Sequence, residues 1–443
     1  MVEIPDVRYA RSGGVAVAYQ VVGDGPQDLV FLPFLSNLYS LWLLPSFAEG
    51  TRRLAESARV IVVNTRGMGL SDRPRGLTIE ARMDDVRAVM DAVGSNRANL
   101  LGWSETSNTC VVFAAAYPER VERLILHGPF ARGTRSEDHP WGLSREEALA
   151  DIAIARERWG EREYLEEFAR GLNPQWADDP SYVDWFVWSH RLSSSPESYV
   201  EFRRMGHETN VTDVLPAIRV PTLVLAKARL GEAAAAHVAS LIPGARLVTL
   251  PGAGASLYEN DAGAEAIESF LRDETPPEVP DTVLATVLFT DLVGSTRLAA
   301  EVGDRRWREL LEAHHAAIRR ELSRFGGTEL DTAGDGFFAS FGGPARAIAC
   351  ARAVEAAVAA LGLSIRIGIH TGECERVGEK LAGLAVNVGA RVAATADAGE
   401  ILVSGTVRDL VAGSGLAFAD RGEHELKGVP GTWRLARVLA STA

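Results

Sequence analysis

Cysteine is scarce in this chain: 443 residues contain three, Cys110, Cys350 and Cys374, widely spaced and odd in number. They can build neither a disulfide framework nor a metal-binding cysteine pair, so a reducing, cytoplasmic setting is expected. Positive charge is also short, with 46 Lys and Arg against 59 Asp and Glu and a net charge of −13. That balance lacks the electrostatic footprint of a DNA or RNA binder, and no nucleic acid partner is expected. Long apolar runs are missing. The longest, "VFLPFLSNLYSLWLL", is broken by proline and polar residues and is too short for a membrane span. The start, MVEIPDVRYA, has no basic segment leading into an apolar one, as a signal peptide would. Internal repeats and low-complexity tracts are absent. What remains is 47% hydrophobic and 24% charged, an ordinary globular composition at a length that predicts two or three domains.

The stretch "DETPPEVPD" crowds prolines and acids between two strongly patterned regions, as a linker does. It predicts domains at 1–273 and 282–443 joined by a linker at 274–281. In the first, short β-branched runs ("LVFLPF", "RVIVVNT", "ANLLGW", "RLILHG", "TLVLAK", "RLVTLPG") alternate with helical segments, the pattern of a largely parallel, doubly wound α/β sheet. Between about 132 and 215 the pattern turns helical and aromatic, with Trp141, Trp159, Trp176, Trp185 and Trp188. This insertion predicts a helical lid over the sheet's ligand-binding edge, its rings either packing the lid to the body or lining a pocket. Downstream, strand, helix, strand, strand, helix and strand follow one another, a ferredoxin-like α+β order.

"GWSETSN" nearly spells the Gly-x-Ser-x-Gly turn that holds a hydrolase serine between strand and helix, here Ser104. With "VNTRGMGLSDRP" and "AAAYPERVERLILHG", residues 15–272 resemble the α/β-hydrolase family. The resemblance implies an acid after "PTLVLAK" and a histidine in the loop after "ARLVTLPG". Ala255 stands where that histidine belongs. The acid position falls near Leu230, and Glu232 replaces it only if the loop shifts; His237 sits in a helical stretch. Thr106 replaces the closing glycine of the turn, and Phe34 a glycine of the oxyanion-binding loop. Without a base a serine hydroxyl is not a useful nucleophile. The Ser104 site is therefore expected to be degenerate, its pocket kept for a small apolar ligand.

Four separated stretches, "LFTDLVGST", "TAGDGFF", "AVNVGARVAA" and "HELKGVPGTWRL", give residues 283–440 a resemblance to the class III nucleotide cyclases. It implies that Asp291 and Asp335 share two divalent ions, Mg²⁺ or Mn²⁺. Backbone amides of Gly294, Ser295 and Thr296 would face the β- and γ-phosphates, unless Ser295 merely caps a helix. Asn387 would orient the ribose, Arg391 would stabilise charge on the α-phosphate, and Lys427 would hold the triphosphate. In this family one subunit brings the metals and the other Asn, Arg and Lys, which implies a homodimer with two shared sites. His314, His315 and His370 have no such partner set and read as exposed or structural.

Adenine-selective members carry Lys four residues before the second metal Asp and Asp seven before the helix Asn. Here those positions hold Asp331 and Lys380, with charges exchanged. Adenine offers an acceptor at N1 and a donor at N6, guanine the reverse. The exchanged pair thus leans toward guanine, although Asp331 is shorter than the glutamate expected, and Glu379 could take over by a register shift. The sequence predicts a cyclase that makes a 3′,5′-cyclic nucleotide and pyrophosphate from ATP or GTP, adenylate ahead of guanylate, with a ligand-sensing N-terminal domain. Two rival readings are a non-catalytic sensor with an impaired cyclase domain, and an esterase with an appended regulatory domain, which Ala255 opposes.

Overall fold

Runs such as "DLVFL" and "RVIVV" are apolar at nearly every position, so they gain most when both faces of a sheet are covered. The computed structural model describes residues 4–137, 139–227, 231–272, 282–377 and 380–439, and the chain divides into two units, Met1–Pro280 and Asp281–Ala443. The expected linker, 274–281, lies outside the described residues.

The first unit holds an eight-stranded sheet of β1 (Arg8–Ser12), β2 (Val15–Val22), β3 (Gln27–Leu32), β4 (Ala58–Val63), β5 (Ala98–Trp103), β6 (Val121–His127), β7 (Thr222–Lys227) and β8 (Arg246–Leu250). Its order is β1-β2-β4-β3-β5-β6-β7-β8, with the β1–β2 and β2–β4 pairings antiparallel and all the others parallel. Leu29, Phe31, Val60, Val62 and Leu101 are fully buried on these strands and form the core with helix residues such as Phe47, Ile267 and Phe270. Between β6 and β7 the chain leaves the sheet for four lid helices, Arg145–Arg158, Arg162–Leu172, Pro180–Ser193 and Pro196–Glu208. The lid tryptophans divide among roles. Trp159 is buried and stacked on Tyr199 at 3.8 Å, Trp176 and Trp185 line a cavity, and Trp141 and Trp188 are exposed.

The second unit carries β9 (Thr282–Leu292), β10 (Thr328–Ala333), β11 (Gly336–Phe341), β12 (Ile365–Val377), β13 (Lys380–Ala382), β14 (Ile401–Ser404), β15 (Phe418–Glu425) and β16 (Thr432–Val438). Helices Ser295–Val302 and Asp304–Arg324 follow β9, and Pro344–Ala359 follows β11. The sheet order β10-β11-β9-β12 is the ferredoxin-like arrangement of two split βαβ halves, extended by β14, β16 and β15, with β13 paired to β12. β9 is the central strand, antiparallel to both β11 and β12. Among the described residues no helix is long and apolar enough to cross a membrane.

Helix Leu384–Thr395 lies directly on this sheet. A Cβ at Gly368 of β12 would come within 2.1 Å of the Ala393 amide nitrogen, and one at Gly389 within 2.6 Å of Val287 Cγ2. Backbone against strand at that distance cannot yield to a side chain. Gly368→Ala is therefore expected to destabilise the second unit by ~1–3 kcal/mol. Scanning calorimetry should show its transition lowered by several degrees with the first unit's unchanged; an unaltered transition would mean that the helix does not pack this closely.

Candidate functional site

In the second unit, antiparallel pairing sets Thr290 of β9 opposite Phe337 of β11, and the Phe337 amide donates to Thr290 Oγ1 at 3.2 Å. Asp291, next along β9, and Asp335, in the turn before β11, are thereby brought to one end of the hairpin. The turn is held from behind by helix Asp304–Arg324. His314 Nε2–H donates to the Asp335 carbonyl at 3.1 Å, and His315 Nε2–H to the Gly334 carbonyl at 3.0 Å. Burial holds the His314 ring below its usual pKa, in keeping with a neutral donor. These two histidines, expected to be exposed or structural, fix the carbonyls of the turn that presents Asp335.

On the other side of β9, Arg366 of β12 lies opposite Asp291 and its Nε donates to Asp291 Oδ2 at 2.9 Å. Asp335 Oδ2 is buried and has no hydrogen-bond partner among the described residues. A carboxylate oxygen left in that state costs ~1–3 kcal/mol or more, and a divalent cation would relieve it. The donor set therefore fits such an ion. No group of three or more His, Cys, Asp or Glu suited to a metal occurs among the described residues. Two carboxylates are nonetheless enough for a hard cation that keeps its waters and takes its remaining oxygens from phosphates.

Gly294 adopts φ 69° and is the N-cap of helix Ser295–Val302, so Ser295 is the first helical residue rather than the cap. The first amide to bond back along the helix is that of Leu298, to the Gly294 carbonyl at 3.0 Å. Those of Ser295 and Thr296 are left pointing outward. Asn387 and Arg391 are exposed, four apart on helix Leu384–Thr395, whose other face buries Val388 and Val392. Lys427 is exposed beyond β15. Among the described residues no hydrogen bond or ion pair joins these three side chains to the carboxylate pair. Asp331 and Lys380, by contrast, are brought together, Nζ to Oδ1 at 3.9 Å, both well exposed. Glu379 lies outside the described residues.

In the first unit Ser104 sits on a sharp turn at the end of β5 with φ 56°; Leu35, after β3, has φ 27°, and no other described non-glycine residue has positive φ. The turn is close: a Cβ at Gly102 would meet the Ser107 Cα at 2.6 Å. Thr106, in the place of the closing glycine, donates from Oγ1 to the Leu32 carbonyl at 2.6 Å and ties the turn to β3. Ser104 opens on a cavity of about 370 Å³ between the strand ends and the lid.

Of the two further places that the hydrolase pattern assigns, one falls near Leu230 and the other on Ala255. Leu230 lies outside the described residues, and Glu232 accepts from Thr249 Oγ1 at 3.2 Å, engaged in the β8 neighbourhood. Ala255 meets its neighbours through its backbone alone, its amide donating to the Leu172 carbonyl at 2.8 Å and its carbonyl accepting from His127 Nε2–H at 2.9 Å. The loop before it is wrapped around Glu259, which accepts from the amides of Ala253 and Gly254 and from the buried ammonium of Lys227 at 2.7 Å. Lys227 also donates to the Pro251 carbonyl at 3.2 Å. Glu105, directly after Ser104, pairs with Arg203 of the lid at 3.4 Å. Arg203 in turn binds Asp151, which also receives His207 at 2.8 Å. Sequence reading missed Lys227, Glu259, Arg203, Arg366 and His127. Lys227 alone left a signal, a charged end to an otherwise apolar strand.

The family model of the adenylate and guanylate cyclase catalytic domain matches residues 278–437, and that of the α/β-hydrolase fold matches residues 40–212. The chain thus joins an α/β-hydrolase domain to a class III adenylate/guanylate cyclase domain. It is 31% identical over 156 residues to putative adenylate cyclase 3 of Rhizobium meliloti (strain 1021), a match covering 33% of this chain and 26% of that protein. The chain therefore spans about a quarter of that relative's length. It is 25% identical over 228 residues to the pimeloyl-[acyl-carrier protein] methyl ester esterase of Neisseria meningitidis serogroup B / serotype 15 (strain H44/76), covering 50% of this chain and 84% of that enzyme. Among solved structures it resembles the enol-lactonase from Burkholderia xenovorans LB400, with 25% identity, a TM-score of 0.52, and coverage of 60% of this chain and all of the other.

Burial pulls the rings of His127 and His190 in the first unit and His370 in the second down to about 4. Unfolded, they would titrate near 6.5. Between these values the unfolded chain takes up protons that the folded one refuses, so this stability is complete above about pH 6.5 and lost as pH falls toward about 4. Each histidine should lower stability by about 1.4 kcal/mol per pH unit inside that window. Calorimetry from pH 7 to pH 4.5 should show both units melting progressively lower, with a shallower slope for the first unit in His127→Gln.

Proposed function

We propose that residues 282–443 form a purine nucleotide cyclase that converts ATP, or less readily GTP, to its 3′,5′-cyclic nucleotide and pyrophosphate. Residues 1–273, joined through 274–281, act as a catalytically degenerate, ligand-binding regulatory module. The observation that carries the reading is the placement of Asp291 one residue beyond, and Asp335 two residues before, the Thr290–Phe337 pair of β9 and β11, with Asp335 Oδ2 buried and unpartnered among the described residues.

Asp291 and Asp335 would hold two divalent ions, Mg²⁺ or Mn²⁺, which when bound lower the pKa of the ribose 3′-hydroxyl and neutralise charge on the triphosphate. The chain's own groups do the rest. The outward amides of Ser295 and Thr296 receive phosphate oxygens, and Lys427 adds a point charge to the triphosphate. Arg366, already beside Asp291, keeps positive charge at the same place. Asn387 hydrogen-bonds the ribose and sets the 3′-oxygen in line with the α-phosphorus, while Arg391 stabilises charge that builds on the α-phosphate as the bond to pyrophosphate breaks. Asn387, Arg391 and Lys427 are exposed and have no bond to the carboxylates of their own chain, which supports a site completed by a second copy.

Full-length protein incubated with ATP or GTP and Mg²⁺ or Mn²⁺ should yield the cyclic nucleotide by mass spectrometry. Asp291→Ala or Asp335→Ala should reduce this to background, and Arg391→Ala should lower turnover by ~10²–10³. Mixing inactive Asp291→Ala with inactive Arg391→Ala chains should restore activity, since one hybrid interface is intact. Heterodimers that form without recovery would refute the shared site.

Asp331 and Lys380 are proposed to face the purine. Exchanging them, Asp331→Lys with Lys380→Asp, returns a donor toward adenine N1 and an acceptor toward N6. A well-formed polar contact to a base edge is worth ~1–3 kcal/mol, so the ATP-to-GTP ratio of kcat/KM should rise tenfold or more. Each single change should be worse than the pair, because it sets two like charges against each other. A ratio within twofold of the unaltered protein, in an active double variant, would exclude these residues from base recognition.

A further inference from the structure

The first unit's cavity is walled by rings, Phe34, Phe168, Trp176, Trp185 and Phe186 among them, yet three charged side chains also reach its surface: Glu105, Arg203 and Lys227. Both cations are committed. Lys227 binds Glu259 at 2.7 Å and the Pro251 carbonyl at 3.2 Å. Arg203 binds Glu105 at 3.4 Å, and Asp151 through Nε at 3.0 Å and Nη2 at 2.9 Å. The cavity therefore has no unmatched positive charge, among the described residues, to offer an anion.

What it keeps in surplus is hydrogen-bond acceptors. Glu105 Oε2 has no hydrogen-bond partner among the described residues, but it is closed off from the cavity and feels the charge of the buried Arg82 guanidinium, so it is not offered to a ligand. His127 spends its Nε2–H on the Ala255 carbonyl, which leaves Nδ1 unprotonated, buried and unpartnered. His190 spends its Nδ1–H on the Phe186 carbonyl at 2.8 Å, leaving Nε2 as a second bare imidazole nitrogen. Burial keeps both rings neutral at physiological pH, so neither nitrogen can recruit a proton of its own. Ser104 Oγ, without a partner among the described residues, can serve in either role. A buried acceptor without a donor costs ~1–3 kcal/mol, and a ligand that supplies the donor recovers it. A carboxylate or phosphate brings further acceptors and negative charge against Glu105.

We propose that this cavity binds, without hydrolysing it, a neutral, largely aromatic or aliphatic molecule that carries a hydroxyl group, with the ligand O–H donated to His190 Nε2, the bare imidazole nitrogen that is not closed off from the cavity. The inference rests on reading the first unit as a ligand-binding module and is independent of the cyclase chemistry. It departs from ester turnover because Ala255 supplies no base to Ser104.

The test uses the full chain and three probes of one shape: 2-naphthol, 2-methoxynaphthalene and 2-naphthoate, followed by calorimetry and by quenching of the cavity tryptophans. 2-Naphthol should bind at least tenfold more tightly than its methyl ether, and 2-naphthoate should bind more weakly than either. In His190→Phe the preference for the hydroxyl over the methoxy probe should shrink, with folding checked by near-ultraviolet circular dichroism. Equal affinity for naphthol and its ether, tighter binding of naphthoate, or no binding of any probe would overturn the proposal. Ser104-dependent release of 2-naphthol from 2-naphthyl acetate would overturn its non-hydrolytic part. Cyclase turnover, read in the same samples, bears on the regulatory role alone: unchanged turnover with 2-naphthol bound removes that role and leaves the ligand class standing.

Discussion

A carboxylate shut away from water needs a cation or several N–H donors, and this requirement shapes both units. In the first, Glu259 collects two amides and an ammonium, so the loop that carries a histidine in hydrolases is here closed around an internal ion pair. Removing one partner of such a buried pair is far more damaging than removing both. In the second, Arg366 answers Asp291, while Asp335 keeps one oxygen unanswered. Where matching is complete the protein is being held together; where it lapses, room is left for a ligand.

The strained turn at Ser104 is kept for a related reason. Positive φ at Ser104 and Leu35 stores strain of ~1–3 kcal/mol each, which a fold keeps only when its surroundings enforce it. At Ser104 they do: Gly102 admits no side chain against Ser107, and Thr106 is bonded to β3. The turn is a product of strand-to-helix packing and needs no base to hold it. The cavity above it is likewise structural, because its walls are the same side chains that bind lid to body.

Much of this was legible in the sequence. Apolar runs and their spacing gave both sheets, and the separated motifs gave both families. The alanine at 255, where the hydrolase pattern has histidine, was readable without any coordinates. The alternative of a Ser295 cap is not the one found: Gly294 ends the loop, since a left-handed glycine can cap a helix with its backbone alone. The charge networks were not legible. Glu105 meets Arg203 across 98 residues, Asp291 meets Arg366 across 75, and Lys227 meets Glu259 across 32. Such pairings depend on strand register and lid placement, which no local pattern encodes. A compositional clue did exist: the chain has only three lysines, Lys227, Lys380 and Lys427. Since arginine serves everywhere else, each lysine marks a place where a compact ammonium was kept.

β10 and β13 lie at the outskirts of the second sheet, and Asp331 and Lys380 on them bury little. Asp291 occupies the central strand, wedged between two neighbours. Heritable change at these positions consequently meets very different resistance. Replacing either outer residue leaves the core untouched, so charge at this rim can drift among descendants with little penalty in folding, while a change at Asp291 also strands Arg366. An exchanged pair of charges at the rim is the kind of variation that such an unburdened edge permits.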